Sequence, residues 1–103
     1  MDADKFTTLV KEQSRDFAIE WAEGEDVGVS DQAQEWLNGL SSVHKEFLRE
    51  VLQETVDNSL IKLFEIMDGV HDKNSEPIEA SIGASKISGK GCHQLHDLYA
   101  NKI

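Results

Sequence analysis

Several things are scarce in this 103-residue chain: it holds one cysteine, one proline and one tyrosine. A lone Cys92 cannot form an internal disulfide, which favours a reducing, cytoplasmic setting. Basic residues are few, ten against twenty acidic ones, for a net charge of −10. Nucleic-acid binding needs Lys and Arg to displace counterions from phosphates, so that role is excluded, as is an acidic lipid surface. No apolar run approaches the roughly 20 residues that span a bilayer. The start, Met1-Asp2-Ala3-Asp4-Lys5, lacks the basic-then-apolar order of a secretion signal.

What is present is ordinary for a folded protein: 39% hydrophobic and 29% charged residues. The length fits a single domain spanning residues 1–103, with one modest core. The charge is uneven. Residues 1–40 carry ten acids and three bases, and residues 71–103 carry four of each.

The fold class read from the pattern is α+β and mainly helical. Phe6, Leu9, Val10, Phe17 and Trp21 recur at helical spacing, predicting a first helix over 3–23 that stops at Gly24. Ser30 is a plausible N-cap for a short second helix over 31–38, lined by Ala33, Trp36 and Leu37. After Ser41 or Ser42 as cap, apolar residues from Val43 to Met67 repeat at three- and four-residue steps until Gly69. This third helix is long, near 40 Å at about 1.5 Å per residue. Phe47, Val51, Leu60, Phe64 and Met67 are its expected buried side. Asp57-Asn58-Ser59 has weak helix propensity and marks a possible kink. Ile78, Ala80 and Ile82 alternate with polar residues as in a strand; Lys86-Ile87 is a candidate second strand across a Gly83-Ala84 turn. Leu95, Leu98 and Tyr99 fit a short final helix.

Chemical motifs are weak. Gly83-Ala84-Ser85-Lys86-Ile87-Ser88-Gly89-Lys90-Gly91 lies between a strand and a helix, as a phosphate-binding loop does. Its glycines are spaced one residue too far, and Gly91 stands where a hydroxyl should hold magnesium. Asp72, Asn74 and Glu76 alternate as in a calcium loop, but Pro77 and Gly83 replace its required glycine and glutamate. His93 and His96 lack further ligands, so no metal site is expected. Cys92 and His96 share a helical spacing without a recognisable third catalytic member.

The acidic row is more informative. Glu12, Asp16, Glu20 and Glu23 repeat along the first helix, and Glu25 and Asp26 follow it. Like charges four apart cost a helix about 0.2–0.5 kcal/mol per pair, so such a row is explained if it meets a basic partner. The plain alternative is a solvated face that keeps the protein dispersed, with Lys11 and Arg15 relieving the repulsion. Trp21 and Trp36 are open to two readings, core packing and interface anchor.

The function expected is a non-catalytic protein-interaction module without a cofactor. Its bulk properties, small and acidic, are similar to those of immunity-type inhibitors that neutralise basic toxins, though no motif carries that likeness. An adaptor fits equally. The second reading is a small-ligand or anion binder, or a minor enzyme, using Ser88, Gly89, Lys90 and Gly91 and the helix beyond, to His96. A homodimer is also expected. The long helix has more apolar stripe than the other helices can cover, and a lone strand would need a partner.

Overall fold

The computed structural model describes all of residues 1–103. The fold is α+β and mainly helical: α1 (Ala3–Val10), a π-helical segment (Lys11–Asp16), α2 (Phe17–Ala22), α3 (Asp31–Asn38), α4 (Ser42–Asp68), β1 (Ala80–Ile82), β2 (Ser85–Ser88) and α5 (Leu95–Ala100). Each long helix starts where its cap residue dictates. Asp2, Ser30 and Ser41 accept hydrogen bonds from the N–H groups of Lys5, Ala33 and His44. These bonds satisfy donors that a helix start leaves orphaned.

Helix α4 runs unbroken through Asp57-Asn58-Ser59, where a kink was a possibility. Tertiary bonds to Asp57 offset the weak local propensity there. The helix ends at Gly69 with φ 73°. Val70 N–H reaches Glu65 O at 3.0 Å and Gly69 N–H reaches Ile66 O at 3.2 Å, a Schellman end. Gly69 is also the close-approach point for the returning chain, because a Cβ there would collide with the Glu76–Pro77 backbone.

The core lies at one end of the molecule. Ala3, Phe64, Leu95 and Tyr99 form it, with Phe6, Val10, Leu60, Ile61, Met67 and Leu98 packed around. Phe64 meets Tyr99 at 5.5 Å and Phe6 at 6.3 Å between ring centroids, both tilted as aromatic quadrupoles prefer.

β1 and β2 pair antiparallel, with Ile82 opposite Ser85 and Ser81 opposite Lys86. The next pair is Ala80 with Ser88, so the register slips by one at Ile87. This bulge turns two successive residues inward: Ile87 and Ser88 are both buried. The strand therefore pairs within the chain, and no second copy is needed to complete it. Ile78 lies ahead of β1; its N–H bonds Met67 O at 2.7 Å.

Two expected faces are corrected. Phe47 and Val51 are 59% and 60% exposed, not buried, whereas Phe64 is 1% exposed. In the first half of α4 it is Leu48 and Leu52, one position further around the helix, that turn toward α2 and α3. In the first helix, Leu9, Phe17 and Trp21 are exposed, and Ala3, Thr7 and Ile19 are buried instead. The cause is the π-helical stretch Lys11–Asp16, whose wider turns shift the phase of everything after it. A 3.6-residue period carried across it points to the wrong side.

Candidate functional site

The half of the molecule built from α2, α3 and the first part of α4 is held differently from the core end. Between Phe17 and Leu52 only Ile19 and Val27 are buried. Gln34 fastens α3 to the loop before it: its Oε1 accepts from Val27 N–H at 3.0 Å, and its Nε2 donates to Gly24 O at 3.4 Å and Asn38 Oδ1 at 2.9 Å. Between α2, α3 and α4 lies an open cleft of about 340 Å³ floored by Leu37, Leu40, Leu48 and Leu52. Lys45, Glu46 and Arg49 stand at its margin, and Arg49 is paired with Glu23.

The same end carries two exposed apolar faces. On α2, Phe17 and Trp21 are 61% and 52% exposed and lie four residues apart, hence on one side of the helix. Across α3 and α4, Trp36, Leu40, Phe47, Leu48 and Val51 line a shallow groove of about 360 Å³ with His44. Both tryptophans thus stand outside the core.

The six acidic residues of the N-terminal third divide into two groups. Asp16 binds Arg15 at 2.8 Å and Lys11 at 4.0 Å, and Glu23 binds Arg49. Glu12, Glu20, Glu25 and Asp26 are exposed and make no ion pair; Asp26 only accepts from Gly28 N–H at 3.3 Å. The row is therefore relieved at two of its members and free at the others.

The loop Ser88-Gly89-Lys90-Gly91 already holds an anion, and it is internal. The Glu79 carboxylate accepts from Lys90 N–H at 3.2 Å and pairs with Lys86 Nζ at 2.7 Å. The Lys86 ammonium, then the Lys90 N–H, hold the Glu79 carboxyl below its ordinary value. Gly89, at φ 128°, is required here, since a Cβ would strike that carboxylate. Ser88 is buried, with its hydroxyl on Met67 O at 3.5 Å. The start of α5 is closed in the same way. Asp68 accepts from the N–H groups of Leu95 at 2.8 Å and His96 at 2.9 Å, and from the His96 ring at 2.7 Å. Cys92 Sγ rests 4.0 Å from Lys86 O. No group of three or more His, Cys, Asp or Glu is placed to hold a metal ion. Asn74, of the Asp72-Asn74-Glu76 set, donates to Ile66 O and Glu76 O and so ties off the end of α4.

The feature that sequence reasoning missed is a buried polar triad. Asp57, 7% exposed, accepts from Arg15 Nε and Nη2, both at 3.1 Å, and from Tyr99 O–H at 2.6 Å. Burial works against the Arg15 charge, but hydrogen bonds to Asp16 and Asp57 outweigh it and raise its pKa. The signal was present: Asp57 stands three and seven residues before Leu60 and Phe64, on the face they bury. An acid there demands a partner. The triad is structural in form, with no cavity beside it to admit a substrate.

Comparison with known proteins finds no match: no family model, no curated protein and no solved structure. No helix is long and apolar enough to cross a membrane.

Proposed function

We propose that this protein is a non-catalytic interaction module that docks a basic protein partner through α2 and the loop after it. It would work as an immunity-type inhibitor or adaptor does. One observation carries the reading: Phe17 and Trp21 stand exposed on the same helix as the unpaired Glu12 and Glu20, with unpaired Glu25 and Asp26 just beyond. Exposed aromatics are the usual anchors of protein interfaces, and charged residues around them steer the partner in. Free carboxylates on that rim select a partner rich in Lys and Arg. The anion-binding alternative has less to stand on, because Glu79 and Asp68 already occupy the N–H groups that would hold a ligand.

The test compares three immobilised proteins in capture from the native host: wild type, a Trp21→Ala variant, and one with Glu12, Glu20 and Glu25 changed to Gln and Asp26 to Asn. Wild type is expected to retain a basic protein. The Ala variant should release it faster. The neutralised variant should associate more slowly, with a flatter dependence on salt. Identical retention by all three, or no basic protein on wild type, overturns the proposal.

A further inference from the structure

The groove across α3 and α4 differs from the acidic face in one decisive respect, its charge. From Ser41 to Leu52 the chain carries Lys45 and Arg49 against Glu46 and Glu50, a local balance of zero in a protein of net charge −10. Val43, Phe47 and Val51, 56%, 59% and 60% exposed, form an apolar row at four-residue steps through this segment. Trp36, 59% exposed, flanks it from α3.

The surface area gives the row its meaning. A compact monomer of this mass exposes roughly 5,800 Å². This chain exposes 7052 Å². The excess, on the order of 1,250 Å², compares with the ~800 Å² that each partner buries in a standard stable interface. The shape agrees: the radius of gyration is 16.7 Å, against about 13 Å for a compact chain of this length. A chain whose surplus surface is apolar and locally neutral is suited to meet its own copy, which brings the same strongly negative charge elsewhere.

We infer that Val43, Phe47 and Val51 of α4, with Trp36 of α3, form a twofold homodimer interface in which the α4 helices of two copies cross antiparallel at Phe47. The spacing is self-complementary. Val43 and Val51 are equidistant from Phe47, so a twofold axis there sets Val43 of each copy against Val51 of the other, as an isologous contact requires. The same axis brings His44 of each copy toward Glu50 of the other. Rows of four-residue steps are the ridges that interdigitate in the commonest class of helix packing. Lys45 and Arg49 lie on the opposite side of α4, toward the cleft with α2, and stay out of the contact. Glu20, Glu25 and Asp26 remain outside it too, so the dimer presents two acidic faces.

Sedimentation equilibrium of the full chain from low to high micromolar concentration is expected to give twice the 11.5 kDa of one chain. A Phe47→Glu variant should give the mass of one chain. A Phe47→Cys, Cys92→Ser variant should cross-link to a covalent dimer when treated with oxidised glutathione. A Leu63→Cys, Cys92→Ser control, exposed on the other half of α4, should not. If Phe47→Glu fails to fold, the melting temperature of wild type decides: it rises with protein concentration for this dimer. A single-chain mass or a concentration-independent melt for wild type overturns the inference. So does a Phe47→Glu variant that remains dimeric, or cross-linking at position 63 and not at 47.

Discussion

Taking a carboxylate out of water costs several kcal/mol unless its oxygens are met in good geometry. Asp57 meets that condition through three donors on two other helical stretches, Arg15 before α2 and Tyr99 on α5. The fork of Arg15 supplies direction as well as charge, since two of its N–H groups address the two oxygens separately. The Tyr99 phenol is pushed well above its ordinary pKa, first by burial and then by its hydrogen bond to the Asp57 carboxylate. A raised acid pKa means the folded state prefers the neutral phenol. That contribution is complete below the unfolded value of about 10 and drains away as pH climbs toward the folded one. Tyr99 is the only tyrosine, so tyrosinate absorbance reports it alone. The absorbance is expected to rise above the ordinary range, together with loss of helical circular dichroism. A midpoint near that of a free tyrosine, with helicity intact, would contradict the buried triad.

At the scale of the element, α4 is one helix with two energetic halves. Its second half places Leu60, Ile61, Phe64 and Met67 in the core; its first half leaves Val43, Phe47 and Val51 open. The same truncation should therefore act differently in each half. Phe64→Ala is expected to lower unfolding free energy by about 3–5 kcal/mol whatever the protein concentration. Phe47→Ala should lower it only as far as association is lost, so its effect should shrink on dilution. Urea denaturation at two protein concentrations separates the cases. Much of this helix was legible: the Ser41 cap, the apolar period and the Gly69 stop each act locally, and the structure keeps all three. The hairpin was legible for the same reason, because Gly83-Ala84 and the alternation before it are short-range signals. Which side of α4 is covered was not. Phe47-Leu48 and Val51-Leu52 offer two adjacent apolar rows, and only the placement of α2 and α3 chooses between them. The outward turn of Phe17 and Trp21 was equally hidden, since nothing local in Lys11–Asp16 announces a π-helical stretch. Among the acidic residues, tertiary pairing decided which stayed free. Glu23 meets Arg49 from 26 residues away, a match that spacing along one helix does not reveal.

The whole molecule is 49 Å long and 29 Å by 24 Å across, with its stability concentrated toward one end. There the two termini are tied down, Lys102 to Asp4 at 2.6 Å and the Met1 amine to Ser85 Oγ at 3.3 Å, around the aromatic core. The opposite end hangs on Ile19, Val27, the Gln34 bonds and the leucine-floored cleft. Local opening free energy follows buried apolar contact, so the amides of one chain should not exchange uniformly. In dilute solution, amide hydrogens from Asp57 to Met67 and in α5 are expected to exchange slowest. Those of α3 and of residues 43–52 should exchange faster, although α4 is a single continuous helix. Raising the protein concentration should slow exchange in residues 43–52 selectively, because a second copy laid across Phe47 covers that stretch and leaves α2 alone. Hydrogen–deuterium exchange with peptide resolution at two concentrations reads both effects. Uniform protection along α4 in dilute solution would show that the open half is as stable as the core half, and the two-ended energetics would fail. Protection of α2 on concentration, with residues 43–52 unchanged, would move the self-contact onto the acidic face, against the repulsion its free carboxylates impose.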